Sequence, residues 1–399
     1  MGLKASFSAW LVIMALILTR KPVMTDRKDY FPGLNIYRAI AVLLMMLAHS
    51  ARVQTSTPLI MAHPEHAGWL DWPLLSALYI EPIISAMFLF IAGFSLVLSR
   101  TRSRESKSGW LIRLGKRMFT LYAISVIFFI ADQGFQIPDL FLSSGVLAII
   151  AVGILSAGVI LVTPHPWIGL LSLSVAVESA ALYLEQQNLS IVGLNAGAGG
   201  MVPLVLFAYS GALSGMLWQS LSWKGLWLLL GLSLPVAIWA LASDLPWVTH
   251  PVSQIHYYPG NRLSSVWYSL QDAFGLYHGP DRTGSVRYWN HAAVFVCRAL
   301  PLLVAGLMVA LHFKASSRHP LLKMLNRPLD WMGRNALNLY ILHLVLLAMV
   351  EVSTLKPAQG WQTLLLLAVI LSMSAWALRY ISFVPLRRIK KRAPQEEAL

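Results

Sequence analysis

Charged residues are scarce in this chain of 399 residues. Asp, Glu, Lys and Arg together make up 12% of it, against about 25% in a typical soluble domain. Hydrophobic residues make up 57%, and the mean hydropathy is +0.63. Low charge combined with long apolar runs excludes an ordinary soluble enzyme and indicates a membrane protein with several spans.

Cysteine is nearly absent, since Cys297 is the single example. One cysteine excludes an intrachain disulfide and a cysteine-based zinc cluster. Acidic residues are also few, which leaves a formal net charge of +14. The basic residues cluster between apolar runs, as in the cytoplasmic loops of membrane proteins, so we predict a lipid environment and no nucleic-acid partner.

Backbone groups in lipid must satisfy one another, so the spans are predicted to be helices of about 17–25 mostly apolar residues. The sequence predicts an all-α integral membrane protein with about ten transmembrane helices and no soluble domain. The predicted spans are 34–50, 82–99, 117–132, 144–163, 167–184, 199–218, 224–242, 291–313, 333–352 and 361–384. They form one transmembrane domain over 34–384, with a long outer loop at 243–290.

Loop charge predicts the direction of these spans. Segments 100–117 and 314–334 and the tail 385–399 are rich in Lys and Arg, whereas the alternating segments carry almost none. We therefore expect both ends of the ten-span core to be cytoplasmic, in a multi-pass protein of a bacterial inner membrane. The outer loop does hold three arginines, but long loops follow the charge rule less strictly.

The segment 1–33 is a separate N-terminal extension. It contains an apolar run about half a span long and no cleavage site typical of a signal peptide. Two interpretations stay open, an eleventh span or an extension upstream of a natural start at Met24.

The first span contains two costly residues, Arg38 and His49. An ionisable residue inside a membrane costs about 2.5–3.5 kcal/mol on insertion scales and is a functional hypothesis by default. Eleven residues are about three helical turns, so both side chains face one side, separated by a rise of about 16 Å. Arginine pairs with phosphate or carboxylate, and histidine moves protons near neutral pH. Snorkelling of Arg38 and an interfacial His49 are the structural alternative.

Just after this span, "MAHPEHAGWLDW" brings His63, Glu65, His66 and Asp71 together. Their spacing matches no standard zinc motif, so no metal is predicted. His66 is a candidate second catalytic base, or part of a sugar-binding lip. The alternative is an interfacial loop anchored by its two tryptophans. The outer loop 243–290 is rich in aromatic residues, which suit either stacking on sugars or a folded lid.

Two later spans also carry polar residues. Arg298 in the eighth span needs a partner, and Glu178 in the fifth span is the candidate. The ninth span carries the candidate substrate-binding residues Arg334, Asn335, Tyr340 and His343, besides Asn338. Arg334 and His343 are nine residues apart, so one continuous helix would put them on opposite sides. Structural ion pairs and helix-to-helix hydrogen bonds are the alternative roles.

These stretches resemble known membrane acyltransferases. Arg38, ten intervening residues and His49 resemble the R-X10-H signature of the acyltransferase-3 family. "EPIISAMFLFIAGFSLVLS" and "MGRNALNLYILHLVLL" resemble its second-span and late-helix patterns. The first span is also similar to the heparan-α-glucosaminide N-acetyltransferase-like branch, in which an Asn stands near the position of His49 and the working histidine lies in an outer loop.

The resemblance implies transfer of an acyl group, with acetyl expected, from cytoplasmic acyl-CoA to an extracytoplasmic glycan or glycolipid. Arg38 would hold the donor, and Arg113, Lys116 and Arg117 would attract the CoA phosphates. His49 would act as general base or carry the acyl group, with His66 as its partner or rival. Arg298, Tyr340 and His343 would line the pocket.

Two other functions fit the same residues. A transporter or flippase for a glycan or lipid intermediate also explains many spans with buried Arg and His. However, it does not require Arg38 and His49 on one face, and no inverted repeat is visible. A structural or sensory membrane protein is the third hypothesis.

Overall fold

The computed structural model describes residues 32–133, 139–142, 145–186, 201–220, 253–257, 282–286, 292–315, 320–353 and 355–380, with a few positions between 225 and 235. Segments 1–31 and 381–399 and nearly all of the predicted span 224–242 lie outside these residues. The helices are α1 (Pro32–Val53), α2 (Thr57–Ala62), α3 (Asp71–Tyr79), α4 (Glu81–Arg102), α5 (Lys107–Gln133), α6 (Asp139–Leu142), α7 (Val146–Leu161), α8 (Pro166–Gln186), α9 (Met201–Ser220), α10 (Ala292–Ala315), α11 (Pro320–Arg334), α12 (Ala336–Val352) and α13 (Gly360–Ala377).

Helix α1 is central, because α4, α10, α11, α12 and α13 all pack against it. Its alanines explain how so many neighbours fit, since small side chains let helix backbones approach closely. Four of them are completely buried: Ala39, Ala41, Ala48 and Ala51. The first predicted span is therefore the core of the protein rather than a lipid-facing helix.

Polar contacts show how α1 lies relative to two of its neighbours. Arg38, near the start of α1, bonds to Ser95 near the end of α4. His49, near the end of α1, lies beside Glu81, the first residue of α4, so α1 and α4 are antiparallel. His49 also meets His343 of α12. We call the two sides of the bundle the Arg38 end and the His49 end.

Helices α4 and α9 are in close contact in the core, and two glycines make this contact possible. A Cβ added at Gly93 would overlap the carbonyl oxygen of Ala208, and one added at Gly211 would overlap that of Phe90. The two backbones are therefore in close contact, an arrangement favoured in membrane proteins.

Three described helices are long and apolar enough to cross a membrane, namely Gly33–Val53, Ile83–Arg102 and Gly360–Ala377. A fourth is obtained if the bent pair Asn326–Arg334 and Ala336–Glu351 counts as one span. Apolar side chains are exposed along α13, including Trp361, Leu365 and Met373. An apolar outer face on a long helix is typical of a membrane protein. The prediction of ten spans is not confirmed, because within the described residues only these three or four helices meet the criteria of length and hydropathy.

Three predicted segments differ from the structure. Helix α5 begins at Lys107 rather than 117, so Arg113, Lys116 and Arg117 are helical instead of lying in a loop. Hydropathy detects only the apolar part of a helix and here misses about three polar turns at its start. The predicted span 333–352 is bent by 79° between α11 and α12, which separates Arg334 from His343. Within the predicted loop 243–290, the strands β1 (Ser253–Tyr257) and β2 (Arg282–Val286) form an antiparallel pair, while the other described elements are helical, as the all-α prediction expects.

The substitution Gly93→Ala is expected to destabilise the bundle by about 1–3 kcal/mol, the usual range for overpacking. The new methyl group must push α4 away from α9, which neither backbone permits cheaply. The measurement is thermal unfolding of the purified protein in detergent.

Gly115→Ala is the matched control, because no atom lies within 4 Å of the added Cβ at this helical glycine. Alanine is the better helix former, so this variant should be unchanged or slightly more stable. Equal melting temperatures for the two variants would contradict the close α4–α9 contact.

Candidate active site

A cluster of polar side chains surrounds His49 at the His49 end of α1. Its Nδ1 lies 3.0 Å from Nε2 of His343. Its Nε2 lies 3.7 Å from Oε1 of Glu81. Arg52, one turn further along α1, donates a short hydrogen bond to Oε2 of Glu81. The Tyr340 ring lies 6.2 Å from the His49 ring and 5.2 Å from the His343 ring, between centroids. We call these five residues the histidine cluster.

Burial changes steadily across the histidine cluster. His343 is completely buried. The side chains of His49 and Glu81 are 16% and 18% exposed, and that of Arg52 is 61% exposed. The cluster therefore leads from the core to the surface, and His49 is the last imidazole before solvent.

At the opposite end, a second cluster holds Arg38. Its guanidinium donates to Oγ of Ser95 at 2.6 Å and to Oδ1 of Asn35 at 3.2 Å. Asn35 in turn donates to Asp330 at 2.9 Å, and Arg334 forms an ion pair with Asp330 at 2.9 Å. The half-buried Arg38 is thus tied to α4 and, through Asn35, to the acidic residue of α11. We call these five residues the arginine cluster.

A cavity of about 470 Å³ lies between the two clusters. Arg38, Arg117 and Arg334 line it at the Arg38 end. Its walls are mostly apolar and come from α4, α5, α7 and α12, with Phe88 and Tyr340 at the side that meets the histidine cluster. The cavity therefore extends from a cationic region to Tyr340 of the histidine cluster, and His49 and His343 are not among its lining residues.

The three predicted CoA-binding residues have different surroundings. Arg117 lines the cavity. Arg113 forms a short ion pair with Glu105, and neither it nor the exposed Lys116 is among the lining residues. Helical phase separates Lys116 from Arg117, whereas Arg113 lies one turn before Arg117 on the same face and is paired with Glu105 instead.

The predicted substrate-binding residues are only partly brought together. Arg334, Asn335 and Tyr340 line the cavity, and so does Asn338. The bend between α11 and α12 allows Arg334 and Tyr340 to share it, which one straight helix would prevent. The side chain of Arg298 lies outside the described residues, and so does its predicted pairing with Glu178.

His66 lies elsewhere, in an exposed turn (Pro64–His66) beyond α2. Its ring is 5.8 Å from that of His63, which bonds to Glu65 at 3.1 Å. A bond from its own backbone amide and the bond from His63 hold the pKa of the Glu65 carboxyl below its usual value. The ligand atoms of His63, Glu65 and His66 all lie within 4.8 Å of one another, so these side chains are close enough to share a cation. The absence of a metal stays a prediction.

Glu81 is the residue that reasoning from the sequence missed. It directly precedes the second predicted span, and antiparallel spans put the start of the second beside the end of the first. Because Glu81 stands at the start of the second span and His49 near the end of the first, the sequence alone could have predicted that they lie close together.

Residues 31–208, a little under half of the chain, match the family model described as heparan-alpha-glucosaminide N-acetyltransferase, catalytic. The matched region is similar to this family of membrane acyltransferases. It contains Arg38, His49, His66 and Glu81, whereas Arg334, Tyr340 and His343 lie after it. A comparison with curated proteins finds none that matches the chain. The match supports the resemblance of the first span to the heparan-α-glucosaminide N-acetyltransferase-like branch.

Proposed function

We propose that this protein transfers an acetyl group from acetyl-CoA on the cytoplasmic side of a membrane to a glycan or glycolipid on the opposite side. The observation that carries the proposal is the cavity between the clusters. It begins among three arginines and ends at Tyr340, beside His49 and His343. A donor and an acceptor approaching from opposite sides would meet there.

The cationic end of the cavity suits the donor. CoA carries phosphates, and arginine binds phosphate in a bidentate manner with little loss of its own freedom. Arg117 and Arg334 have exposed side chains, whereas Arg38 is held by Ser95 and Asn35. The two exposed arginines would therefore bind the phosphates, and Arg38 would meet the part of the donor that enters the apolar cavity.

The histidine cluster suits the transfer step. The acceptor's O–H or N–H bond breaks as His49 takes the proton, and the freed lone pair attacks the acetyl carbonyl carbon. The new C–O or C–N bond forms while the C–S bond of the thioester breaks. CoA leaves as the thiolate and is protonated later, which returns His49 to its neutral form.

The direction of transfer follows from loop charge. Near the Arg38 end, the described chain carries Arg100, Arg102, Arg104 and Lys107 at the junction of α4 and α5. Positive residues mark the cytoplasmic side, so the Arg38 end would face the cytoplasm of a bacterial inner membrane and the His49 end would face outward. A transporter would also need buried charges, but it would not account for the acetyltransferase family match.

The substitution His49→Ala should lower acetyl transfer at least about 100-fold, because a general base supplies a factor of about 10²–10⁴. His66→Ala should retain most of the activity, since His66 lies in an exposed turn. The measurement uses membranes with radiolabelled acetyl-CoA and either glucosamine, glucose or extracted membrane glycan as acceptor, which separates N- from O-transfer.

The opposite pattern, an active His49→Ala variant and an inactive His66→Ala variant, would show that the base is His66. Label remaining wholly on CoA with every acceptor, while glycan crosses sealed vesicles, would favour the transporter instead.

The substitution Arg117→Gln should raise the KM for acetyl-CoA about tenfold while kcat changes less, because one charge-assisted contact to a phosphate contributes about 1.5–3 kcal/mol. Arg113→Gln, four residues earlier on the same helix, is the matched control. It removes the same charge from a residue already paired with Glu105 and absent from the cavity lining. Equal effects of the two changes would indicate general electrostatic attraction rather than a contact at Arg117.

A further inference from the structure

The hydrogen-bonding pattern around His49 fixes which of its nitrogens carries the proton. Nδ1 of His343 lies 3.2 Å from the backbone carbonyl oxygen of Leu339. A carbonyl oxygen only accepts, so this nitrogen donates, and the other nitrogen of the neutral His343 must be an acceptor. His343 is completely buried among helices, which favours its neutral form.

The next bond follows from the first. Because Nε2 of His343 is an acceptor, the 3.0 Å contact with His49 requires His49 Nδ1 to donate. The two rings are nearly parallel, with 18° between their planes. Nε2 of His49 is then left with its lone pair, and this is the nitrogen that points to Glu81.

Glu81 and the His49 lone pair do not bond to each other at rest. A carboxylate oxygen and an unprotonated imidazole nitrogen are both acceptors, and their 3.7 Å separation is longer than a hydrogen bond. Once Nε2 takes a proton, the same pair becomes a cation beside an anion. Glu81 is therefore placed to compensate the positive charge that develops on His49 as the proton is transferred.

Arg52 keeps Glu81 in place for this task. It holds Oε2 of the carboxylate and leaves Oε1 facing His49. Glu81, Arg52, His343 and Tyr340 are the titratable and charged groups that face His49 from α1, α4 and α12. Glu81 is the single acidic group among these four residues, so it supplies the negative charge that compensates protonated His49.

The geometry points to Glu81 and His343 as positioning residues for the proposed base: His343 fixes the tautomer of His49, and Glu81 stabilises its protonated form. This inference rests on the proposed function and names residues that act through His49 rather than on the substrate. The acceptor it implies is one that gives up a proton on transfer, an alcohol or an amine.

The decisive experiment measures the pH dependence of acetyl transfer for Glu81→Gln. Without the carboxylate, the charge that the base gains on taking a proton is uncompensated, so the acidic limb of the pH–activity profile should move to lower pH. The plateau kcat should fall about tenfold, because the protonated base is no longer stabilised. The KM for acetyl-CoA should stay unchanged, and Glu81→Asp should restore much of the wild-type profile.

Glu65→Gln is the matched control, since it removes the same charge from the group around His66. Its profile should equal that of the wild type. A shifted profile in Glu65→Gln and an unshifted one in Glu81→Gln would overturn the inference in favour of His66. The position of the limb does not depend on the amount of folded enzyme, so partial misfolding of a variant cannot imitate the result.

The role of His343 is tested by two substitutions. His343→Leu removes the acceptor for His49 Nδ1 and should lower kcat without changing the KM for acetyl-CoA. His343→Gln offers an amide oxygen near the position of Nε2 and should recover a large part of the loss. Equal losses in both variants would overturn the tautomer argument.

A wild-type protein with no acetyl transfer to glucosamine, glucose or glycan would overturn the proposed function itself. An active wild type with an unshifted Glu81→Gln profile would overturn this inference alone.

Discussion

The hydrogen bond between His49 and His343 joins a residue near the start of the chain to one near its end, and the chemistry of the site depends on it. Its donor and acceptor are assigned only because the backbone carbonyl of Leu339 already occupies the other nitrogen of His343. From that single backbone contact follow the tautomer of His49, the location of its lone pair and its relation to Glu81. A histidine without these partners would present either nitrogen to a substrate.

The cost of placing charges among apolar helices explains the rest of the arrangement. A buried cation needs a hydrogen-bonding partner, and removing one member of a buried pair leaves the other uncompensated. Here the positive side chains at both ends are compensated locally. Arg334 has Asp330, Arg52 has Glu81, and Arg38 has oxygens of Ser95 and Asn35. The space between the two clusters is left apolar, which suits an uncharged thioester arm better than a charged substrate.

The sequence predicted the elements that depend on composition and helical phase. It indicated a helical membrane protein, placed Arg38 and His49 on one face of the first span, and led to the family that residues 31–208 match. It did not predict the pairing of His49 with His343, because a contact across 294 residues is set by packing and leaves no local pattern. The bend at Asn335 was also missed, since it lies at the polar start of the predicted span 333–352, where hydropathy marks only a boundary. The role of Glu81 could have been inferred from the direction of the first two spans, but hydropathy treats it only as a boundary.

The separation of 294 residues between the two histidines has a consequence for biosynthesis. Helices enter a membrane in chain order, and long-range contacts form only after both partners have been made. The first part of the chain carries His49, Glu81 and Arg38, but it would hold His49 without the neighbour that orients it. During synthesis the orientation of His49 is therefore completed only when α12 packs against α1, and Arg334 of the cavity is added in the same late part of the chain, so a half-inserted protein would have neither end of the site complete.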